Sequence, residues 1–123
     1  MPKVSLPWPA PHLFPNRAKR AHWATVAKAT KNARDTAYTL SKNVLPTIPT
    51  AQAVNIHITF HQPNKIRRDW DGMIGSCKAY LDGVSDVIGV DDSRFRLSFD
   101  FPGEVKKGGE VVIEVNERKE DAG

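Results

Sequence analysis

Residues 54–61 read Val-Asn-Ile-His-Ile-Thr-Phe-His, and this alternation constrains the fold more than any other stretch. Successive side chains of a strand point to opposite faces. Val54, Ile56, Ile58 and Phe60 therefore share one face, and Asn55, His57, Thr59 and His61 the other. Such a strand needs a sheet with one covered face and one wet face. Two later stretches repeat the pattern. Phe95, Leu97, Phe99 and Phe101 alternate with Arg94, Arg96, Ser98 and Asp100. Val111, Ile113 and Val115 form a last strand after a turn around Gly103 to Gly109. Val4, Leu6 and Trp8 alternate with Ser5 and Pro7 more weakly, and Pro7, Pro9, Pro11 and Pro15 then impose an irregular loop.

The helices are read from what is missing. Between Arg17 and Asn43 there is no glycine or proline and alanine is frequent, so one long helix is expected. Val26, Ala33, Ala37, Leu40 and Val44 would form its apolar face, and Lys19, Arg20, Lys28, Lys31 and Arg34 its basic one. A second helix is expected from about Gly72 to Val84, with Met73, Cys77, Tyr80 and Leu81 at helical spacing. The order strand, helix, strand, helix, strand, strand describes a small α/β domain of the α+β type. Its sheet would be mixed or largely antiparallel, with one face covered by two helices. One domain over residues 1–116 and a charged, frayed tail over 117–123 are expected.

The composition, with 40% hydrophobic and 26% charged residues in a chain of 123, excludes a disordered chain. The net charge of +4 suits an anionic partner. Cys77 is the one cysteine and is read as a core thiol, so no internal disulfide points to secretion. No apolar run approaches the roughly 20 residues of a membrane span. A cytoplasmic protein is expected.

Chemistry concentrates in Arg67-Arg68-Asp69-Trp70-Asp71. If this stretch is extended, Asp69 and Asp71 point the same way, and two close carboxylates repel unless a cation lies between them. A hard divalent cation such as Mg²⁺ is the natural partner. The same residues also suit a loop aspartate followed by a helix-capping one. A second acidic pair, Asp91-Asp92, precedes the third strand. The intervening helix carries the chain about 18 Å away, and residues 85–91 can return it by up to roughly 23 Å. Asp92 can therefore sit beside Asp69 and Asp71, although Asp-Asp-Ser is also ordinary turn chemistry. Lys78 lies two helical turns past Asp71 and can share a face with it, or stand exposed. Three carboxylates flanked by Arg67, Arg68 and Lys78 match the needs of phosphodiester hydrolysis. Trp8, Trp23 and Trp70 are candidates to stack on bases, with packing expected for Trp8 and Trp70; His57 and His61 read as solvated strand residues.

Taken in order, four groups of residues resemble the RusA family of Holliday junction resolvases, which is common in phages and prophages. They are Leu6-Pro7-Trp8-Pro9 with Pro15-Asn16-Arg17; Arg67-Arg68-Asp69-Trp70-Asp71; Lys78 with Asp82-Gly83-Val84; and Val90-Asp91-Asp92-Ser93. They span nearly the whole chain. The resemblance implies a homodimeric endonuclease, dependent on Mg²⁺ or Mn²⁺, that nicks four-way DNA junctions symmetrically. It implies Asp69, Asp71 and Asp92 as metal ligands, with Asp91 the alternative to Asp92, and Lys78 as the catalytic lysine. Asn16, Arg17, Arg20, Arg67 and Arg68 would contact DNA. Two positions depart from the family pattern. Gly72 stands where the family usually has Asn, and Gly75 where its lysine often falls. Two other functions fit the same residues: a protein that holds branched DNA without cutting it, and a metal-dependent phosphohydrolase of small nucleotides.

Overall fold

The structure, a computed structural model, describes residues 2–118. The elements run β1 (Lys3–Pro7), α1 (Pro15–Ala18), α2 (Trp23–Ser41), β2 (Ala53–His61), α3 (Trp70–Ser76), α4 (Lys78–Ile88), β3 (Phe95–Asp100) and β4 (Glu110–Arg118). Short 3-10 turns occupy Pro11–Leu13 and Asp92–Arg94. The strands form one mixed sheet in the order β1-β4-β2-β3. β4 is antiparallel to both β1 and β2, and β2 and β3 run parallel. This is the small α+β domain that the alternation predicts.

One sheet face carries the core. Val54, Ile56, Ile58, Phe60, Val111, Ile113, Val115, Val4 and Leu6 are all buried on it. The polar face holds His57, whose Nδ1 lies 2.7 Å from Ser98 Oγ across the β2–β3 pair. β3 is an edge strand, so its apolar side is only partly covered: Phe95 is buried, Phe99 and Phe101 half-buried, and Leu97 exposed. Parallel pairing of β2 with β3 requires a crossover, which α3 and α4 supply. The chain after β3 passes over the end of β2 to enter the sheet on its far side. On the way, the Lys106 amide donates to the Gln62 carbonyl at 2.9 Å.

Each expected helix is two helices. Between α1 and α2 the ring nitrogen Nδ1 of His22 accepts from the Ala24 amide at 3.2 Å and caps a new helix start. A histidine cap leaves no glycine or proline as a signal. Between α3 and α4 the break is at Cys77, with φ −96° and ψ 2°. Ser76 Oγ donates to the Met73 carbonyl and Cys77 Sγ to that of Ile74, each three residues back. Such side-chain bonds compete with the helix's own ladder. α4 then runs past Val84 to Ile88 and ends at Gly89, whose φ of 76° provides the left-handed cap. The strand β4 extends through residues 117 and 118, so they belong to the sheet rather than to a tail. The rest of the expected tail lies outside the described residues.

The helix layer is anchored where α2 crosses α4. A Cβ on Gly83 would stand 2.5 Å from the Arg34 carbonyl oxygen and 2.7 Å from Ala37 Cβ, so only glycine allows this approach. Ala33, Ala37 and Ser41 form the buried row of α2, while Leu40 and Val44 are exposed. The apolar face expected for this helix is thus rotated: the contact follows the i, i+4 row through the small residues. Above it, Arg34 donates two hydrogen bonds to Asp86, at 2.8 and 2.9 Å. Among the described residues, no helix is long and apolar enough to cross a membrane.

Candidate functional site

Asp69 and Asp71 stand at the start of α3. Asp69 is the N-cap residue, with φ −74° and ψ 135°, yet its carboxylate makes no capping bond. Asp71 lies in the first turn and accepts from the Gly72 amide at 2.9 Å. The backbone is therefore extended only up to Asp69 and helical from Trp70, which corrects the expectation of an extended Asp-x-Asp. Both residues still line one cleft of about 290 Å³. Asn16, Arg67 and Arg68 line the same cleft. Trp70 does not pack as expected: it is 66% exposed.

The second acidic pair divides its labour. Asp91 caps the turn before β3, accepting from the Ser93 amide at 3.0 Å. The hydrogen bonds from Ser93 hold its carboxyl below the usual aspartate range. Asp92 instead meets Lys78, whose Nζ lies 3.4 Å from Asp92 Oδ2. Lys78 opens α4 on the far side of the Cys77 break, so the two-turn helical relation to Asp71 does not apply. Neither Asp92 nor Lys78 lines the cleft of Asp69 and Asp71.

Among the described residues, no three His, Cys, Asp or Glu side chains are grouped to hold a metal by themselves. The pair Asp69 and Asp71 nevertheless fits a Mg²⁺-type ion. That ion commonly takes one or two protein carboxylates and fills its shell with water and phosphate oxygens.

Cations also line two hollows that share residues with the cleft. An adjoining hollow is lined by His12, Asn16, Arg17, Lys19 and Arg20, and another by Lys65, Arg67 and Arg68. Asn16 is shared between the first hollow and the acidic cleft, and Arg67 and Arg68 between the second and the cleft, so the three adjoin in one region of the surface. Two chain segments about fifty residues apart are thereby brought together. All five residues expected to touch DNA lie on it. His12, Lys19 and Lys65 join them; Lys19 was read only as part of a basic helix face, and nothing in the local sequence singles out the other two.

Arg68 has a different task from Arg67. Its Nη1 donates to Gln62 Oε1 and to the carbonyls of Asn64 and Ile66, and its Nη2 to Asn64 Oδ1. The guanidinium also lies 5.3 Å from the Trp8 ring centre. Arg68 is thus a staple for the loop after β2. Arg67 makes no hydrogen bond or ion pair among the described residues and faces the cleft.

Gly75 explains a departure noted in the sequence. A Cβ there would stand 2.8 Å from Pro15 Cγ. A side chain there would require the Pro15 ring or α1 to shift, so a lysine at this position is disfavoured by packing. Cys77 is the core thiol expected: it is buried, and burial pushes its pKa up to about 12.

No family model matches the chain. It is 34% identical over 118 residues to an uncharacterized protein of Xylella fastidiosa, over 94% of this chain and 76% of that protein.

Proposed function

We propose that this chain, which belongs to the same family as that Xylella fastidiosa protein, is a divalent-metal-dependent endonuclease of branched DNA, as its resemblance to the RusA resolvases implies. The observation that carries the reading is the cleft in which Asp69 and Asp71 stand together with Asn16, Arg67 and Arg68. Carboxylates alone suit many cations, and arginines alone suit any anion. Both in one open cleft suit a phosphodiester bound through a metal ion.

In this reading Asp69 and Asp71 hold Mg²⁺ or Mn²⁺. Bound there, the ion supplies an activated water and neutralises charge on the phosphate. Arg67, Asn16, Arg17, Lys19 and Arg20 carry the flanking phosphates, fixing the register of the backbone without reading its sequence. Hydrolysis forms one P–O bond to the water oxygen and breaks another, and the leaving oxygen takes up a proton. Lys78 is the catalytic lysine implied by the resemblance. The resemblance also implies Asp92 as a third ligand; here it pairs with Lys78, and both lie outside the lining of the cleft. The spread of the basic surface supports a polymer substrate over a small nucleotide, because an enclosed basic pocket would be needed to hold the latter.

A closed dimer would supply the second site that paired nicks require. The enzyme would act in the cytoplasm, where it meets DNA.

A second reading has its own support. With Asp92 held by Lys78 and only two carboxylates in the cleft, a junction-binding protein without nuclease activity fits the same surface. One experiment separates them. A mobile four-way junction is incubated with the protein with and without Mg²⁺. Metal-dependent paired nicks support the nuclease. Binding without nicks in either Mg²⁺ or Mn²⁺ supports the binding protein.

A further inference from the structure

Trp70 stands between Asp69 and Asp71 in the chain, yet it is no part of the lining of their cleft and is 66% exposed. A tryptophan on a protein surface leaves a large apolar area in water and a ring face free to stack. The surrounding loop is not loose. The Arg68 fork ties down Asn64 and Ile66, and the Ile66 amide donates to Asn64 Oδ1 at 3.1 Å. Ile66 is also 65% exposed, so two exposed apolar side chains, Ile66 and Trp70, bracket the charged run Arg67-Arg68-Asp69. Trp8 is half-buried under Arg68 and against Phe14 and Phe60, and Trp23, though 76% exposed, lies against His22 at the start of α2, away from the acidic motif in the chain and outside the lining of the acidic cleft.

We infer that Trp70 is a stacking platform for an unpaired or splayed nucleobase beside the phosphate held in the cleft. It would make the protein prefer branched DNA to duplex. This rests on the reading of the cleft as a nucleic-acid site. A base has a π-face for the indole and brings its phosphate to the neighbouring arginines. A protein partner fits less well. The residues adjoining Trp70 in the chain include Arg67, Arg68, Asp69 and Asp71, and interface cores are depleted in such charges. Duplex DNA offers no free face to stack on, whereas a branch point has bases at the end of a stack. Trp70 acts here as a specificity-determining residue and takes no part in bond making.

The test uses the full chain and compares wild type with Trp70→Ala, Trp70→Phe and Trp70→Leu. Affinity is measured without metal, for a four-way junction and for a duplex of equal length. 2-Aminopurine placed at the crossover reports stacking by its fluorescence. Trp70→Ala is expected to weaken junction binding by about 5- to 150-fold, the range of one base stack. Duplex binding should be unchanged, Trp70→Phe should restore most of the loss, and Trp70→Leu should not. The 2-aminopurine signal should be quenched by wild type and by Trp70→Phe only. Equal losses on junction and duplex, or full rescue by Leu, overturn the inference. So does a change of oligomeric state in Trp70→Ala, which would mark a protein contact. If wild type cuts junctions in Mg²⁺ while Trp70→Ala binds them normally, this inference fails and the nuclease reading stands. If wild type binds no branched DNA, both fail.

Discussion

The ammonium of Lys78 lies 3.4 Å from Oδ2 of Asp92, joining the first residue of α4 to the turn that precedes β3. Both side chains are well exposed, 73% and 44%, and an exposed pair of this kind contributes little to stability. In the proposed reaction, the resemblance to the RusA resolvases makes Lys78 the catalytic lysine. Lys78→Ala is expected to slow cleavage by about 100-fold or more, as loss of one transition-state donor does. Its folding stability should change by no more than about 0.5 kcal/mol. The two substitutions Lys78→Ala and Asp92→Asn should be non-additive in cleavage rate, which a double-mutant cycle measures directly. Additive losses would show that the two groups act independently.

Placing a lysine where the RusA resolvases often carry one should fail. Gly75→Lys brings a Cβ to 2.8 Å from the Pro15 ring, and overpacking of this kind costs about 1–3 kcal/mol. Urea denaturation should show that loss. The double variant Lys78→Ala with Gly75→Lys should be as inactive as Lys78→Ala alone. Recovery of cleavage would mean that α1 yields more easily than its packing indicates.

Asp71→Asn is expected to abolish cleavage and spare binding. The substitution removes a charge that a cation needs and leaves the Arg67 side intact. Without metal it should bind junctions at least as tightly as wild type, since one repulsive charge facing the phosphates is gone. Gel-shift and cleavage assays run in parallel check this. A normal cleavage rate would remove Asp71 from the metal site.

Arg67 and Arg68 are neighbours in sequence and should separate in experiment. Arg67→Ala should weaken DNA binding and lower the slope of log affinity against log salt by about 0.9, one phosphate contact. Arg68→Ala should instead lower the melting temperature, because four acceptors in the loop after β2 lose their donor. The reverse pattern would exchange the roles assigned to them.

Asp86 makes a prediction about pH. The hydrogen-bonded Arg34 guanidinium holds its carboxyl below the ordinary value of 3.8. A carboxylate lowered in the folded state stabilises fully above its unfolded pKa, and the contribution disappears as pH falls through the folded value. Asp86→Asn should therefore be less stable than wild type at neutral pH, by a small amount since the pair is exposed. In strong acid the two should have the same urea midpoint. A difference that persists in acid would assign the loss to packing rather than charge.

Strand identity, the covered face of the sheet and the acidic motif at residues 69–71 are all legible in the chain alone. They rest on local rules: period-two burial at Val54 to Phe60, and two carboxylates within three positions. What tertiary structure decided is equally specific. The helix breaks at Lys19–His22 and at Cys77 come from a histidine cap and from hydroxyl and thiol bonds to backbone carbonyls, which carry no glycine or proline mark. The phase of α2 follows from the close approach of Gly83 to Ala37, a contact between residues 46 positions apart. The placement of β4 between β1 and β2 depends on which strand completes the sheet, and alternation is identical for any neighbour. The same reason governs the site. Sequence can name Asn16, Arg67, Asp69, Lys78 and Asp92 as candidates, but only folding sets the first three around one cleft and pairs the last two with each other. Local patterns specify what each segment is; long-range packing specifies which segments meet.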